Sequence, residues 1–418
     1  MRILFVTTDF VWPAERGVRL RTLSQLGVLA ALPEVELVRL FSLREQPVPA
    51  TYLDALARAV PKLDVHAPVF HPIHLFAHRR YVPRVAWLRL VRGVPYLAGK
   101  WDAPRVRHAL ERALQDDDFD VVWFDGLGMT HYISLVRRLQ PRARVVLDQH
   151  NVESERFAQF AQQQRGLKRV VAEAEWRKAR RFEADSLRAV DAIGAISQDD
   201  ARAYRELAGV DALFVPQVVP FVRRATPAGG GARLCWIGNL TWRPNSRGLD
   251  WFCHDIWPRV RERLPEATLE IAGSGLPIGT DGHVVVPAAW RTPGVTTLGF
   301  VPDLEPLYER SGAMVAPLLG GTGVRIKLLE AFRYGIPVVT TPDGAAGLPI
   351  ESGREAFVET EPSDFARRVV ELATSAAQRA HMREAGYAFL ERHHGPKAAE
   401  EVVRALLGLH PGRAIAAA

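Results

Sequence analysis

The stretch LLGGTGVRIKLLEAFRYGIPVVTT, residues 318–341, decides the fold of the second half of the chain. Gly320, Gly321 and Gly323 form a loop, and the apolar spacing behind them predicts a helix that starts near Val324 and stops at Gly335. Residues 336–339 then have the apolar pattern of a buried strand. A strand–loop–helix order of this kind is typical of a parallel α/β sheet with both faces covered.

Two cations and an acid follow the glycine loop directly. Arg325 and Lys327 fall in the first turns of the predicted helix, where a cation opposes the helix dipole at a cost of about a few tenths of a kcal/mol. We therefore expect a compensating anion such as a diphosphate, which backbone N–H groups of the glycine loop could also approach. Glu330 could accept hydrogen bonds from vicinal hydroxyls. Alternatively, the glycines are turn residues and Lys327–Glu330 is an ordinary surface pair, and the spacing alone does not decide.

The whole chain repeats this strand–helix alternation twice. At 418 residues it exceeds one ordinary core, and the Pro- and Gly-rich stretch PFVRRATPAGGGA separates the two series. We expect an α/β fold with two doubly wound Rossmann-like domains. The predicted bounds are 1–215 for the first domain, 216–231 for a linker, 232–392 for the second domain, and 393–418 for a C-terminal helix that packs toward the first domain and ends in a frayed tail.

The positive charge of the chain is concentrated in residues 76–112, which contain nine Lys/Arg and two acids, whereas the net charge of the whole chain is +7. Arg84, Trp87, Leu88 and Val91 have helical spacing there. A basic amphipathic helix suits an anionic membrane surface or a lipid diphosphate. The alternative, which we favour, is a solvated face whose Arg stems cover apolar surface. No nucleic-acid motif accompanies the charge, so we expect no nucleic-acid partner.

The cysteines and the N-terminus predict a cytoplasmic protein. Cys235 and Cys253 lack metal-ligand spacing and lie in apolar surroundings, so we expect them in the core of a protein from a reducing compartment. The opening MRILFVTTDF has no cleavage site, and no apolar run reaches the roughly 20 residues of a membrane span. Any membrane contact would then be peripheral, at the inner face of the cell membrane.

The stretch at residues 318–341 resembles the donor site of retaining glycosyltransferases of the GT-B fold, in the large bacterial family 4-like group that makes surface polysaccharides. An E-x7-E element spans this loop and helix in that group. Its second Glu matches Glu330, which implies a contact with the donor ribose, and its first falls at Thr322, as in a subgroup whose loop resembles GGGTRLKILEA. The resemblance implies two Rossmann-like domains that face each other across a cleft, with the first on the acceptor side and the second binding the nucleotide sugar.

Further stretches match the family in order along the chain. WIGNLTWRPNSRGLDWF resembles the first strand and phosphate loop of the second domain, with Asn239 in place of an Arg and Arg243 as the nearest cation. IAGSG and LGFVPDL resemble the loops that frame the base, and TTDFVWPAERGVRLRTL resembles the opening loop. The donor-binding residues that the resemblance implies are Gly17, Gly238, Asn239, Gly273, Ser274, Gly275, Phe300, Val301, Asp303, Gly321, Thr322, Gly323, Val324 and Glu330.

The chemistry of glycosyl transfer requires neutralisation of a leaving diphosphate. The sequence has no dense Asp/Glu/His cluster typical of an Mg²⁺ site, so we expect no metal and no cofactor, and assign that role to Arg243, Arg325 and Lys327. Asp125 and His150 follow two first-domain strands. Asp125 has the family position by order, and His150 has the better intrinsic pKa for accepting a proton. Alternatively, His150 makes a helix-start hydrogen bond and Asn151 caps that helix.

The predicted function is therefore retaining, metal-independent transfer of a hexose-type sugar. The donor is a nucleoside-diphosphate sugar, and the acceptor is a glycan or lipid-linked molecule in cell-surface polysaccharide synthesis. Two alternatives stay open. One is a nucleotide-sugar epimerase of related fold, and the other is a noncatalytic sugar-nucleotide binding or scaffold protein, because Asn239 and Thr322 replace family residues.

Overall fold

The computed structural model describes residues 1–14, 17–72, 81–224, 231–279, 284–321 and 325–409. The chain forms two compact units. The first unit comprises Met1–Val218 together with the chain from Pro396 onward, and the second unit comprises Val219–Gly395. Of the predicted linker, residues 216–224 and 231 are described; of the predicted tail, residues 410–418 lie outside the described part.

The first unit is built on parallel strands. Its described strands are β1 (Arg2–Thr7), β2 (Leu37–Phe41), β3 (Leu43–Arg44), β4 (Leu63–Val65), β5 (Val69–Phe70), β6 (Val121–Asp125), β7 (Arg144–Asp148), β8 (Ala192–Ala195) and β9 (Leu213–Phe214). Among the described residues they form a seven-stranded sheet, β4-β2-β1-β6-β7-β8-β9, and a small sheet of β3 and β5. Ile3, Leu4, Phe5 and Val6 are all fully buried, as expected for a central strand with both faces covered.

Helices cover this sheet. They are α1 (Gly17–Ala31), α2 (Ala50–Ala59), α3 (Val82–Leu90), α4 (Tyr96–Gly99), α5 (Pro104–Asp116), α6 (Ile133–Leu139), α7 (Glu153–Gln162), α8 (Leu167–Arg188) and α9 (Gln198–Ala208), with a 3-10 helix at Leu127–Tyr132. Two apolar clusters, one on each side of β1, β6 and β7, form the core of the unit.

The second unit repeats the arrangement. Its described strands are β10 (Arg233–Ile237), β11 (Thr268–Ala272), β12 (Val295–Gly299), β13 (Ala313–Ala316), β14 (Val338–Thr340) and β15 (Phe357–Val358), in the order β12-β11-β10-β13-β14-β15. Its helices are α10 (Arg243–Trp251), α11 (Trp257–Arg263), α12 (Glu305–Arg310), α13 (Ile326–Arg333), α14 (Pro342–Ala345), α15 (Pro362–Thr374) and α16 (Ala376–His394), with a π-helical turn at Phe252–Ile256 and a 3-10 helix at Ala288–Trp290.

The last described helix, α17 (Pro396–Leu406), belongs to the first unit. Ala399, Val403 and Leu406 are buried in the cluster that includes residues of α1 and β2. Arg144 on β7 donates from Nε to the Leu406 carbonyl oxygen at 2.7 Å. No helix in the described ranges has the length and apolar character needed to cross a membrane.

The prediction of two doubly wound α/β halves is confirmed, and the topology fixes where each could bind a ligand. Strand order reverses between β1 and β6 in the first unit and between β10 and β13 in the second. At such a point the neighbouring loops leave the carboxyl ends of the strands in opposite directions and open a crevice. The crevices lie after β1 and β6, and after β10 and β13.

The apolar patterns of the sequence predict one helix over residues 245–264, one helix over residues 362–391 and a strand over residues 212–219, and the structure differs from each of these bounds. The helix predicted over residues 245–264 is interrupted by the π-helical turn just before Pro258, which cannot donate a backbone hydrogen bond. The helix predicted over 362–391 divides at Ser375, whose hydroxyl accepts from the Gln378 N–H and starts α16. The strand predicted over 212–219 is limited to Leu213–Phe214, because Pro216 follows it. Cys235 and Cys253 are free and buried, as predicted.

Candidate functional site

The loops at the switch point of the second unit approach each other through glycines. A Cβ on Gly238 would lie 3.0 Å from Asn245 Nδ2 and 3.1 Å from Lys327 Nζ. A Cβ on Gly273, after the adjacent strand β11, would lie 2.0 Å from the Gly238 carbonyl oxygen. Any side chain at Gly273 would therefore displace the loop after β10.

A chain of hydrogen bonds connects α13 to the loop after β10. Lys327 Nζ donates to Asn245 Oδ1 at 2.7 Å, and Asn245 Nδ2 donates to the Asn239 carbonyl oxygen at 2.7 Å. Asn239 Oδ1 in turn accepts from the backbone N–H of Thr241 at 2.9 Å. Lys327 Nζ also lies 4.7 Å from the centre of the Trp236 ring, a cation–π distance.

The charge of Lys327 is poorly compensated. Burial and the nearby charge of Arg325 lower the pKa of the half-buried Lys327 to about 7. No carboxylate within the described residues forms an ion pair with Lys327. An anion placed beside Nζ would supply the missing opposite charge and would raise this pKa again.

Arg325 holds the glycine loop in place. It precedes α13 at the N-cap position, it is 4% exposed, and burial lowers its pKa although the charge of Asp343 opposes that shift. Its Nε donates to the Asp343 carbonyl oxygen at 2.9 Å, and its Nη2 donates to the Gly321 carbonyl oxygen at 2.8 Å. The Gly320 N–H donates to Asp343 Oδ2 at 2.7 Å. The guanidinium therefore fixes the described edge of the loop.

Glu330 lies one turn beyond Lys327 on α13. Burial raises its pKa, while Arg333 works in the opposite direction. Its carboxylate lies 3.5 Å from Arg333 Nη1, so the i,i+3 pair that forms on this helix is Glu330–Arg333 rather than Lys327–Glu330. The Glu330 side chain is 32% exposed, and its carboxylate keeps acceptor capacity for a ligand.

The remaining predicted donor residues have different surroundings. Leu240 N–H donates to the Ser274 carbonyl oxygen at 2.9 Å, which joins the loops after β10 and β11. Phe300, directly after β12, is 72% exposed. Arg243 is exposed and is the first residue of α10, and Gly275 is exposed with a φ of 101°. Val301 is half-buried, and the Asp303 carboxylate accepts from the Glu305 N–H. Gly17 is the first residue of α1 in the first unit. Thr322, Gly323 and Val324 lie outside the described residues.

In the first unit, a pocket of about 200 Å³ lies at the switch point between β1 and β6, and Asp125, Gly126 and His150 line it. His150 Nε2 is hydrogen-bonded to Asp125 Oδ1 at 2.7 Å. The other carboxylate oxygen of Asp125 accepts from the hydroxyls of Thr7 and Thr22, both at 2.8 Å. With Nε2 used in this way, Nδ1 is the ring nitrogen that remains for a ligand.

Asp125 and His150 stabilise each other's charged forms. Burial alone would lower the pKa of His150, but the charge of Asp125 and its hydrogen bond outweigh burial and raise that pKa. Burial would raise the pKa of Asp125, yet the His150 charge and the hydrogen bonds from His150, Thr22 and Thr7 lower it. The pair therefore has the geometry and electrostatics of a proton acceptor oriented by a carboxylate.

Asp148 and Arg21 belong to the same site; the sequence places Asp148 in the loop with His150 but assigns a role to neither Asp148 nor Arg21. Thr7, Asp125 and Asp148 are register partners at the ends of three neighbouring strands. Arg21 on α1 binds both carboxylate oxygens of Asp148, at 2.7 and 3.1 Å, and both residues are buried. The available signal was that WFD and VLD each end an apolar strand with Asp.

Asp125, Asp148 and His150 also form a cluster that the sequence did not predict. Their possible ligand atoms lie within 4.8 Å of one another. Arg21 already binds both oxygens of Asp148, and the two threonine hydroxyls occupy Asp125 Oδ2. These donors satisfy carboxylate oxygens that a metal ion would need, so the cluster fits an arginine better than a divalent cation.

The helix that follows His150 is not capped by Asn151, which was the alternative role considered for this stretch. Val152 is at the N-cap of α7. The carboxylate of Glu183 on α8 accepts from the backbone N–H groups of Glu153 at 2.9 Å and Ser154 at 2.8 Å. Because Glu183 caps α7, His150 is not needed at the helix start, and its ring is hydrogen-bonded to Asp125 instead.

Comparisons with known proteins agree with this architecture. Residues 231–375 match the family model for glycosyl transferases group 1. Over 405 residues the chain is 21% identical to an uncharacterized 44.6 kDa protein in the cps region of Klebsiella pneumoniae, covering 95% of this chain and 97% of that protein.

Two solved structures align over nearly their whole lengths. The Anabaena protein Alr3699/HepE, in complex with UDP and glucose, has a TM-score of 0.63 at 15% identity and covers 98% of this chain and 99% of its own. This chain has the GT-B fold. A mutant of S. aureus TarM, in complex with Fondaparinux, alpha-GlcNAc-glycerol and UDP, has a TM-score of 0.64 at 10% identity, with 97% and 100% covered.

The family model matches residues in the half of the chain that carries the glycine loop. It spans β10 to α15 and so includes both helices joined by the Lys327–Asn245 bond. Together, the family match and the shared fold support a glycosyltransferase of the GT-B fold.

Proposed function

We propose that this GT-B protein is a retaining glycosyltransferase that moves a hexose-type sugar from a nucleoside-diphosphate sugar to a glycan or lipid-linked acceptor in cell-surface polysaccharide synthesis. One observation carries the proposal. An under-compensated lysine, Lys327, lies at the switch point of the unit that matches glycosyl transferases group 1. A donor diphosphate is the anion that such a lysine would bind.

The diphosphate is neutralised in this proposal by protein groups without a metal ion. Lys327 Nζ provides a charge that is fully restored when the anion binds. Arg243 provides a second charge from the first turn of α10, two residues before the lysine's partner Asn245. Arg325 acts mainly by holding the described edge of the glycine loop, through its hydrogen bond to the Gly321 carbonyl oxygen. These groups stabilise the negative charge that develops on the leaving group.

The nucleoside half of the donor has its own candidate contacts. Glu330 accepts hydrogen bonds from the ribose hydroxyls, and the loops at residues 273–275 and 300–303 frame the base. An exposed aromatic ring such as that of Phe300 suits stacking against a base. UDP is the nucleotide to test first, because UDP is present in the two similar GT-B structures. The TarM mutant structure contains Fondaparinux and alpha-GlcNAc-glycerol together with UDP, and these sugar-containing ligands support a glycan-type acceptor for the present chain.

His150 in the first unit is the proposed proton acceptor for the acceptor hydroxyl. Its Nδ1 remains available while Nε2 is bonded to Asp125. The pocket that it lines also contains Asp9, Arg19 and Gln149, groups that can hydrogen-bond a sugar. Asp125 orients the ring and stabilises the imidazolium that forms, as a carboxylate does beside a catalytic histidine.

The proposal places the protein in the cytoplasm, with a peripheral contact at the inner face of the membrane through residues 76–112. In the described part of this segment, α3 buries Val85 and Leu88 and exposes Trp87 by 48%. Val91, just after α3, is 66% exposed. Arg84 is bound to Asp102 at 3.2 Å. This mixed surface supports a membrane contact better than a purely solvated face.

The direct test is release of UDP from a panel of UDP-hexoses, with and without a panel of glycan and lipid-linked acceptors. We expect UDP release that requires an acceptor and yields an α-linked product from an α-linked donor, with full activity in the presence of a chelator. Interconversion of free UDP-hexoses without an acceptor would identify an epimerase instead. Tight donor binding without turnover across both panels would favour a noncatalytic role. His150→Gln is the matched control for turnover.

A further inference from the structure

A second basic segment lies outside the predicted 76–112 region. Residues 165–181, RGLKRVVAEAEWRKARR, contain seven Lys/Arg and two acids. The net charge of the whole chain does not reveal this positive excess, because acidic residues elsewhere balance it. Most of the segment belongs to α8, whose first residue is Leu167.

One face of α8 exposes apolar side chains to solvent. Leu167 is 79% exposed, Val170 62% and Val171 54%, and Ala174 is exposed as well. Their spacing of i, i+3, i+4 and i+7 aligns them on one stripe of the helix. Exposed branched aliphatic residues are unusual as a contiguous group and indicate an interaction surface.

The same stripe continues into cations that line a pocket. Arg177, Lys178 and Arg181 follow at the next i+3, i+4 and i+7 positions after Ala174. The pocket, of about 360 Å³, lies between this part of α8 and the turn at residues 92–95, and Arg92 adds a fourth cation. Asp185 is the acid in its lining, and it pairs with Arg188 at 3.5 Å.

His131 gives the pocket an unused acceptor. Its Nδ1 is 3.1 Å from the Gly128 carbonyl oxygen, which can only accept, so the proton lies on Nδ1 and Nε2 is an acceptor. Nε2 is buried and has no hydrogen-bond partner among the described residues. Burial lowers the pKa of His131 to about 4, so the ring is neutral at physiological pH. Cations together with one acceptor complement a phosphoryl group that carries a nearby hydroxyl.

The α3 helix extends the apolar surface on the other side of the pocket. Arg89 links α3 to α8 by two contacts. Its Nη2 lies 2.9 Å from Glu175 Oε2, and its carbonyl oxygen accepts from Lys178 Nζ at 2.6 Å. Trp87 and Val91 are exposed at i and i+4, and the Arg92 guanidinium is 5.9 Å from the Trp87 ring. Exposed apolar groups therefore flank the cationic pocket on two helices.

We propose that the stripe of α8 and the pocket between α8 and residues 92–95 form a docking surface for an anionic phospholipid bilayer. The pocket binds the phosphate of a headgroup with its Arg and Lys donors, and His131 accepts from a headgroup hydroxyl. Leu167, Val170 and Val171 enter the boundary between headgroups and acyl chains. In this proposal the main membrane contact lies on α8 rather than within residues 76–112. It does not depend on glycosyl transfer, so its failure would leave the donor tests unaffected.

The experiment is vesicle co-flotation of the full chain at physiological salt. One set of vesicles contains phosphatidylcholine alone, and the other contains phosphatidylcholine with phosphatidylglycerol. Two variants test the surface: Arg177→Gln with Arg181→Gln, and Leu167→Ser with Val170→Ser. Their controls change equally exposed groups elsewhere: Arg202→Gln with Arg205→Gln on α9, and Val222→Ser with Ile278→Ser in the second unit.

We expect binding to the anionic vesicles alone. The cationic variant should bind about thirtyfold more weakly, at about fivefold for each cation near an anionic surface. The apolar variant should lose about tenfold or more, and both controls should match the unmodified protein. Absence of binding to anionic vesicles would overturn the proposal. So would equal binding to neutral vesicles, an equal loss in the α9 control, or an apolar variant that binds as tightly as the unmodified protein.

Discussion

Lys327 Nζ donates a 2.7 Å hydrogen bond to Asn245 Oδ1, and this bond joins α13 to α10 at the switch point of the second sheet. The two helices follow β13 and β10, the neighbouring strands at which the strand order reverses. The bond therefore links two helices that are far apart in the sequence and adjacent in the fold. A diphosphate bound to this ammonium group would lie beside the N-terminal turns of both helices.

Donor binding should take up protons at neutral pH. The pKa of Lys327 is lowered to about 7, and a bound diphosphate would raise it, so the lysine gains a proton when the ligand binds. At pH 7.0 we expect uptake of about half a proton for each UDP bound. Calorimetry in HEPES and Tris buffers measures this, because the observed enthalpy becomes more positive in the buffer of higher ionisation enthalpy. Lys327→Met removes the lysine and leaves only protons that belong to the UDP phosphate, so an unchanged uptake in this variant would contradict the assignment.

Glu330 should discriminate between ribose and deoxyribose. We expect the unmodified protein to bind UDP about tenfold more tightly than 2′-deoxy-UDP, since a hydrogen bond to a charged group contributes about 1.5–3 kcal/mol. Glu330→Ala should weaken UDP binding by the same factor and leave 2′-deoxy-UDP almost unchanged. Glu371→Ala is the control, because Glu371 forms a similar i,i+3 pair with Arg368 on α15. Discrimination that survives in Glu330→Ala would show that another group binds the ribose.

Turnover should follow the deprotonation of His150. The charge of Asp125 outweighs burial and raises the pKa of His150, so the acid limb of the rate profile should lie above pH 6.5, the usual value for histidine. Asp125→Asn removes that charge, burial then dominates, and the limb should move to lower pH. His150→Gln should lower kcat by about 10²–10⁴-fold and leave the affinity for UDP unchanged. A limb that does not move in Asp125→Asn would exclude His150 as the base.

The Arg21–Asp148 pair should contribute strongly to stability. Both side chains are buried, at 7% and 0% exposed, so Asp148→Asn leaves a guanidinium without its counter-charge. Removal of one partner of a buried pair costs about 3–5 kcal/mol. Urea unfolding measures the cost, provided that the transition of the first unit is resolved. The exposed pair Arg202–Asp199 is the control, and Asp199→Asn should change stability by less than about 1 kcal/mol. A loss below about 1 kcal/mol in Asp148→Asn would mean that the first unit does not rely on this pair.

The sequence was sufficient to predict the fold because fully buried strands leave a clear pattern. Runs such as RILFVT and VVWFD are almost continuously apolar, and helices with regular spacing follow them. Boundaries were less predictable where local hydrogen bonding decides them. The Ser375 hydroxyl and the missing N–H of Pro216 each ended an element that the apolar pattern alone would extend.

The candidate sites were only partly predictable. Lys327, Glu330, Asp125 and His150 could be selected because each follows a strand or a glycine loop. Arg21 could not, because it reaches Asp148 across 127 residues of chain and only the fold brings them together. Asn245 could not be identified as the partner of Lys327 either, because the two residues are 82 positions apart in the sequence and only the fold brings them together. The exposed stripe on α8 was hidden because an amphipathic pattern does not tell which apolar residues a neighbouring element covers.

The measurement that tests the central claim most directly is calorimetric titration of UDP into the unmodified protein, Lys327→Met and the exposed control Lys397→Met. We expect the unmodified protein and Lys397→Met to bind UDP equally. Lys327→Met should bind about thirtyfold more weakly, as expected for loss of about 2 kcal/mol from a charge-assisted contact, with unchanged thermal unfolding. Equal affinity in all three proteins would contradict a donor site at the Lys327–Asn245 bond.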